Sequence, residues 1–188
     1  MFVVCLIPLA LVIWRALAGE LSANPIEDIT HHTGWWTLTF LMIVLAVTPL
    51  RQLSGLHWLL RLRRMLGLFA FFYACLHFLT YIVLDQFFHV EEIIKDVIKR
   101  PYITVGFTAF VLLIPLAATS TNAMVRRLGA ARWQMLHRLV YLIAILAVLH
   151  FLWLVKKDVR EPLVFATILA CLLGARLLYR LRRRAAAA

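Results

Sequence analysis

Three histidines stand inside apolar runs long enough to cross a bilayer: His77, His137 and His150. An ionisable side chain at membrane depth is costly, and its presence there points to function. Imidazole is a common metal ligand and a usual axial ligand of haem iron. His137 and His150 share one apolar stretch, 13 positions apart, which is roughly 20 Å along a helix. That separation is too long for one metal and suits two redox centres stacked across a membrane. His77 lies in a second apolar stretch, 65–84, and is placed to supply a facing ligand.

The elements that must position these side chains are membrane helices. The chain has 188 residues, 64% of them hydrophobic and 15% charged, with mean hydropathy +0.89. A soluble domain is nearer half apolar and a quarter charged. Crossings of about 20 residues fit at 1–17, 34–50, 65–84, 102–118, 136–155 and 162–178. The expected fold is therefore all-α: one polytopic bundle of six transmembrane helices, a single domain over 1–188 embedded in a lipid bilayer. The run 162–178 completes the bundle. A formal charge of +11 does not indicate nucleic acid, because the basic residues alternate between loops. Arg51, Arg61, Arg63 and Arg64 fall between spans 2 and 3, Arg126, Arg127 and Arg132 between spans 4 and 5, and Arg180 to Arg184 after span 6. The connection 18–33 carries acids and no Lys or Arg. By the positive-inside rule both termini are cytoplasmic. Ala16-Leu17-Ala18 matches a signal-peptidase site, but Arg15 before it and the lack of a basic lead favour a retained span. Cys5, Cys75 and Cys171 lie in separate spans and read as core residues. Residues 87–100 predict a short amphipathic helix at the outer interface, with Phe87, Val90, Ile94 and Val97 at helical spacing.

With this topology spans 3 and 5 both run outward. His77 is twelve residues past Met65 and His150 fourteen past Leu136, at matching depth near the periplasmic side. They are expected to sandwich one haem. His137 begins span 5 near the cytoplasmic face. The positions level with it on span 3 are Arg63 and Arg64, and helical phase favours Arg63 as the residue nearest a second centre, on a haem propionate or as an unusual ligand. Equally, Arg61, Arg63 and Arg64 serve as topology determinants, and spacing leaves the two roles open. His31, His32, His57 and His89 read as loop or interface residues. The aromatics around His77 line either a cofactor pocket or an ordinary bundle core. No GxGxxG follows a strand, and there is no P-loop and no CxxCH. The chain is thus expected to take electrons from a separate donor, as an electron-transfer subunit rather than a complete enzyme. The competing reading is a small transporter or membrane anchor that uses its histidines for protons or packing.

Beyond these features the chain resembles the MsrQ (YedZ) family. The resemblance rests on Asn24-Pro25-Ile26-Glu27-Asp28-Ile29 with His32-Thr33-Gly34, on Arg63-Arg64-Met65-Leu66-Gly67-Leu68, and on Leu76-His77 with Thr80-Tyr81. It extends through Arg100-Pro101-Tyr102-Ile103-Thr104-Val105-Gly106, Thr119-Ser120-Thr121, Trp133-Gln134, Leu136-His137, Val140-Tyr141-Leu142, and His150 with Leu152-Trp153. It implies a six-helix ferric-reductase-like domain of the bacterial inner membrane, with b-type haem on His77 and His150 and His137 directed at a second haem. It further implies flavin mononucleotide, a cytoplasmic flavin reductase or other donor, and delivery of electrons to MsrP, a periplasmic molybdenum enzyme that reduces methionine sulfoxide. Oxidase relatives carry four haem histidines where this chain offers three.

Overall fold

The computed structural model describes residues 1–155 and 157–185. These form nine helices, and no strand occurs among the described residues: α1 (Phe2–Leu17), α2 (Pro25–Ser54), α3 (Leu59–Leu79), α4 (Val90–Lys99), α5 (Pro101–Ala118), α6 (Asn122–Leu128), α7 (Ala130–His137), α8 (Leu139–Leu154) and α9 (Arg160–Ala185). The all-α expectation holds. Five helical segments are long and apolar enough to cross a membrane: α2, α3 with its extension to Asp85, α5, the continuous α7–α8 segment Ala130–Leu154, and α9. The sixth expected span, α1, has 16 residues, about 24 Å at 1.5 Å per residue, short of a hydrocarbon core of about 30 Å. Large apolar side chains such as Leu11, Ile43, Val111, Ile114, Leu142 and Ile168 point outward and are exposed. In water that surface would be unfavourable; against lipid it costs nothing.

Helix boundaries depart from the apolar runs for local reasons. Asn24-Pro25 reads as a chain break, yet it begins α2. The Asn24 side chain accepts from the Glu27 amide at 3.4 Å and donates to the Glu27 carboxylate at 3.1 Å, a reciprocal cap, and Pro25 takes the first helical position, where its missing N–H is harmless. Arg15 at the end of α1 pairs with Asp28 at 2.8 Å. His31 and His32 therefore lie within α2, not in a loop. Similarly α3 begins at Leu59, which brings Arg61, Arg63 and Arg64 into the helix. After Leu79 the chain widens into a π-helical segment, Thr80–Asp85, a distortion frequent near functional sites.

The core is formed by α2, α3, α5 and α8, with Leu41, Leu45, Tyr73 and Ile143 nearly or fully buried. Two antiparallel pairs, α2 with α3 and α5 with α8, make the closest associations. Tyr73 fastens α1 to this core. Its hydroxyl donates to the Cys5 carbonyl at 2.8 Å and accepts from the Leu9 amide at 3.1 Å. It thus inserts between the donor and acceptor of one helical turn, beside Pro8. His32 Nε2 bonds the Pro8 carbonyl at 2.9 Å, so the kinked turn is held from two sides.

The short helix expected at 87–100 is present as α4, beginning at Val90. Asp96 is its buried residue, bonded to Arg100 at 3.1 Å and within 3.4 Å of Tyr81 and Gln86, while Val90, Ile94 and Ile98 form an exposed stripe. An outward apolar stripe fits a helix lying in the headgroup layer.

Candidate functional site

At one end of the bundle His77 and His150 are brought together, as their matched depths predicted. The ring centroids lie 6.1 Å apart with planes at 74°. His77 Nδ1 bonds the Thr30 carbonyl of α2 at 2.9 Å, and His150 Nδ1 bonds the Tyr102 carbonyl of α5 at 2.7 Å. A carbonyl can only accept, so each Nδ1 carries the proton and each Nε2 keeps its lone pair. This is the ring orientation and tautomer that a metal-ligating histidine requires. Thr30 and Thr80 bond each other at 3.2 Å, and Thr80 donates to the His77 carbonyl at 2.7 Å, which ties the α2–α3 contact at the ring.

The spacing of the rings sets what can lie between them. A metal bonded to both Nε2 atoms at about 2 Å, with each centroid about 1 Å further out, puts the centroids roughly 6 Å apart. No group of three or more His, Cys, Asp or Glu suited to a metal occurs among the described residues. His77 and His150, each with Nδ1 held by a carbonyl, are the residues that would hold a haem iron here.

His137 is not at this site. It ends α7 at the opposite end of the bundle, where its Nδ1 bonds the Trp133 carbonyl at 3.0 Å and its ring stacks on Trp133 at 3.8 Å. Its Nε2 is buried without a hydrogen-bond partner, an atom that normally finds one. Arg63 and Arg64 lie on α3, the helix that also carries His77. Arg64 turns to Asn122 and is exposed, whereas Arg63 is half-buried. Helical phase favours Arg63 as the residue nearest a centre on His137, and Arg63 is the less exposed of the two arginines.

Arg176 on α9 escaped the sequence reading. It donates to the Tyr141 hydroxyl at 2.8 Å and the Leu45 carbonyl at 2.6 Å, lies over the Tyr141 ring at 5.3 Å, and its Nε is buried without a partner. The signal was a lone guanidinium inside an apolar window, which hydropathy averages away. It belongs to a wider asymmetry. All nine acidic residues fall at the His77/His150 end, whereas the opposite end carries thirteen arginines, no lysine and no acid. There Gln52, Arg138, Tyr179, Arg180 and Arg184 line a cavity of about 520 Å³.

Residues 33–148 match the family described as ferric reductase like transmembrane component. The chain is 58% identical over 186 residues to the "Protein-methionine-sulfoxide reductase heme-binding subunit MsrQ" of Herminiimonas arsenicoxydans, covering 98% of this chain and 85% of that protein. It is 58% identical over 166 residues to the protein of the same name from Azospira oryzae, covering 88% and 71%. For the Rhodospirillum rubrum protein the identity is 57% over 183 residues, covering 97% and 88%. A transmembrane family over most of the bundle, relatives under one name matched over most of the chain and five membrane-length helices agree: the chain is a multi-pass membrane protein of the MsrQ family, with a ferric-reductase-like transmembrane domain.

Proposed function

We propose that this chain is the haem-carrying electron conduit of a protein-methionine-sulfoxide reductase system. The observation that carries the reading is the pair of imidazoles 6.1 Å apart, each with Nδ1 held by a backbone carbonyl. When bound there, b-type haem supplies one-electron iron chemistry. The residues' part is to fix two neutral imidazoles, hold their tautomers and exclude water. Next to Gly34 and His150 in the chain, Trp35 packs on Phe165 and Phe151 on the His31 ring. His137, with its unpartnered Nε2, and Arg63 beside it mark a second centre toward the arginine end. For a phosphate-bearing cofactor such as flavin mononucleotide, the Arg138–Arg180–Arg184 cavity offers guanidinium donors suited to phosphate.

On this reading electrons pass from a cytoplasmic flavin reductase or comparable donor, at the arginine end, to a periplasmic MsrP-like molybdenum enzyme at the acidic end. The chain spans the bacterial inner membrane with both termini inside, supported by the thirteen-arginine face. A reporter active only in the periplasm, fused after Arg184, should stay silent; strong activity there would invert the topology. The function itself is tested by the visible spectrum of the purified full-length chain. Sharp bands that shift on reduction are expected, and a preparation with no such bands after haem supplementation would favour a transporter or anchor instead.

A further inference from the structure

The two imidazole seats are built the same way from different helices. In each, one residue of the neighbouring helix supplies the accepting carbonyl and the residue four positions later is glycine: Thr30 with Gly34 on α2, and Tyr102 with Gly106 on α5. The spacing has a physical cause. Cα–Cβ bonds in a helix tilt toward its N-terminus, so the side chain at i+4 leans over the carbonyl of residue i. A glycine at i+4 leaves that carbonyl open from the side, and an imidazole can reach it while the helical bond persists. A methyl group at Gly106 would stand 2.7 Å from His150 Nδ1 and 2.9 Å from its Cε1; at Gly34 it would stand 3.0 Å from His77 Cε1 and 3.1 Å from its Nδ1. The helical glycines Gly67 and Gly174 have nothing within 4 Å of such a group.

The two seats also repeat along the chain. Thr30 and Tyr102 are 72 positions apart, as are Gly34 and Gly106, and His77 and His150 are 73 apart. Each seat occupies one antiparallel pair, α2 with α3 and α5 with α8, and both accepting helices run in the same sense. That is the arrangement of two parallel repeats about an axis along the membrane normal.

We propose that Gly34 and Gly106 are the positioning residues of the paired-imidazole site, each setting the angle and depth of one imidazole by leaving its helix carbonyl uncovered. Gly106 is the tighter of the two. The proposal rests on the haem reading above and concerns residues that touch the imidazoles, not the iron.

The test compares Gly106→Ala, Gly34→Ala, Gly67→Ala and Gly174→Ala in the full chain, purified from membranes. Haem per protein is measured together with the low-spin electron-paramagnetic-resonance signal, which reports the relative orientation of the two imidazole planes. Gly106→Ala should lower haem content at least threefold, Gly34→Ala should lower it less, and the haem retained by either should give a displaced low-spin signal. The controls should match the unaltered chain, since alanine is the better helix former where it meets nothing. Unchanged content and signal in both Gly34→Ala and Gly106→Ala would overturn the proposal, as would an equal loss in the two controls. If Gly106→Ala does not accumulate, the signal of Gly34→Ala, with its looser contact, decides by itself. Absence of haem from the unaltered chain would instead sink the haem reading, so the two failures are distinct.

Discussion

His150→Ala is expected to lower bound haem about tenfold or more, and His77→Ala to match it. The equality follows from the geometry. Each imidazole offers one Nε2, each is fixed by a single Nδ1 bond to a neighbouring helix, and the 6.1 Å between ring centroids leaves room for one iron shared between them. With one ring gone, only one imidazole would remain to hold the group, and its hold would be correspondingly weaker. Removing a mere supporting group of a metal ligand costs 10- to 100-fold in affinity, so removing the ligand itself should do no less. Neither substitution should displace the chain from the membrane, because the span keeps its apolar length with or without the imidazole. The measurement is haem per protein in solubilised membranes, with the protein followed separately by immunoblot. Full haem content in either variant would remove that histidine from the site. A large loss in only one of the two would replace the shared iron by a single-ligand site.

How much of this was legible beforehand depends on the range of the interaction. Membrane class, five of the spans and the equal depth of His77 and His150 follow from hydropathy and counting, since a helix turns position into depth. Helical phase likewise favours Arg63 over Arg64 for a second centre; in the fold Arg63 is half-buried and Arg64 turns to Asn122. Hydropathy placed helix ends poorly, because a helix continues past its apolar part: α2 and α3 each begin well before the apolar run they contain. Asn24-Pro25 serves two ends at once, following the break after α1 and capping the start of α2. The carbonyl–glycine seats could not be seen in advance. They join residues 47 and 48 positions apart, and Gly34 and Gly106 look like any small residue in a membrane helix until the ring opposite is known. Likewise Arg176 disappears in a window average, although a single charge in a span is a stronger signal than the average around it.

Replacing His137 by Ala should leave the His77/His150 haem in place and slow its reduction from the arginine end at least tenfold. Two observations set the sign. The two sites are structurally separate: His137 and His150 are 13 residues apart on one continuous segment, roughly 20 Å, and no bond of His137 reaches the paired imidazoles. Its loss should therefore not empty their site. Meanwhile His137 Nε2 is buried and no partner meets it at hydrogen-bond geometry, although the Leu116 backbone also acts on the ring, which is oriented by the bond from Nδ1 to the Trp133 carbonyl and by stacking on the indole. An unpaired buried polar atom costs about 1–3 kcal/mol, so the nitrogen is either a functional atom or a cost carried by packing. His137→Phe separates the alternatives, because phenylalanine keeps the stack on Trp133 and removes only the nitrogen. If both variants slow reduction alike, with the paired-imidazole spectrum unchanged, the nitrogen is the functional atom and a second centre lies on it. If His137→Phe reduces at the unaltered rate, His137 is a packing residue, and the relay toward the arginine end must run through another carrier, for which the cavity between Arg138, Arg180 and Arg184 is the place to look.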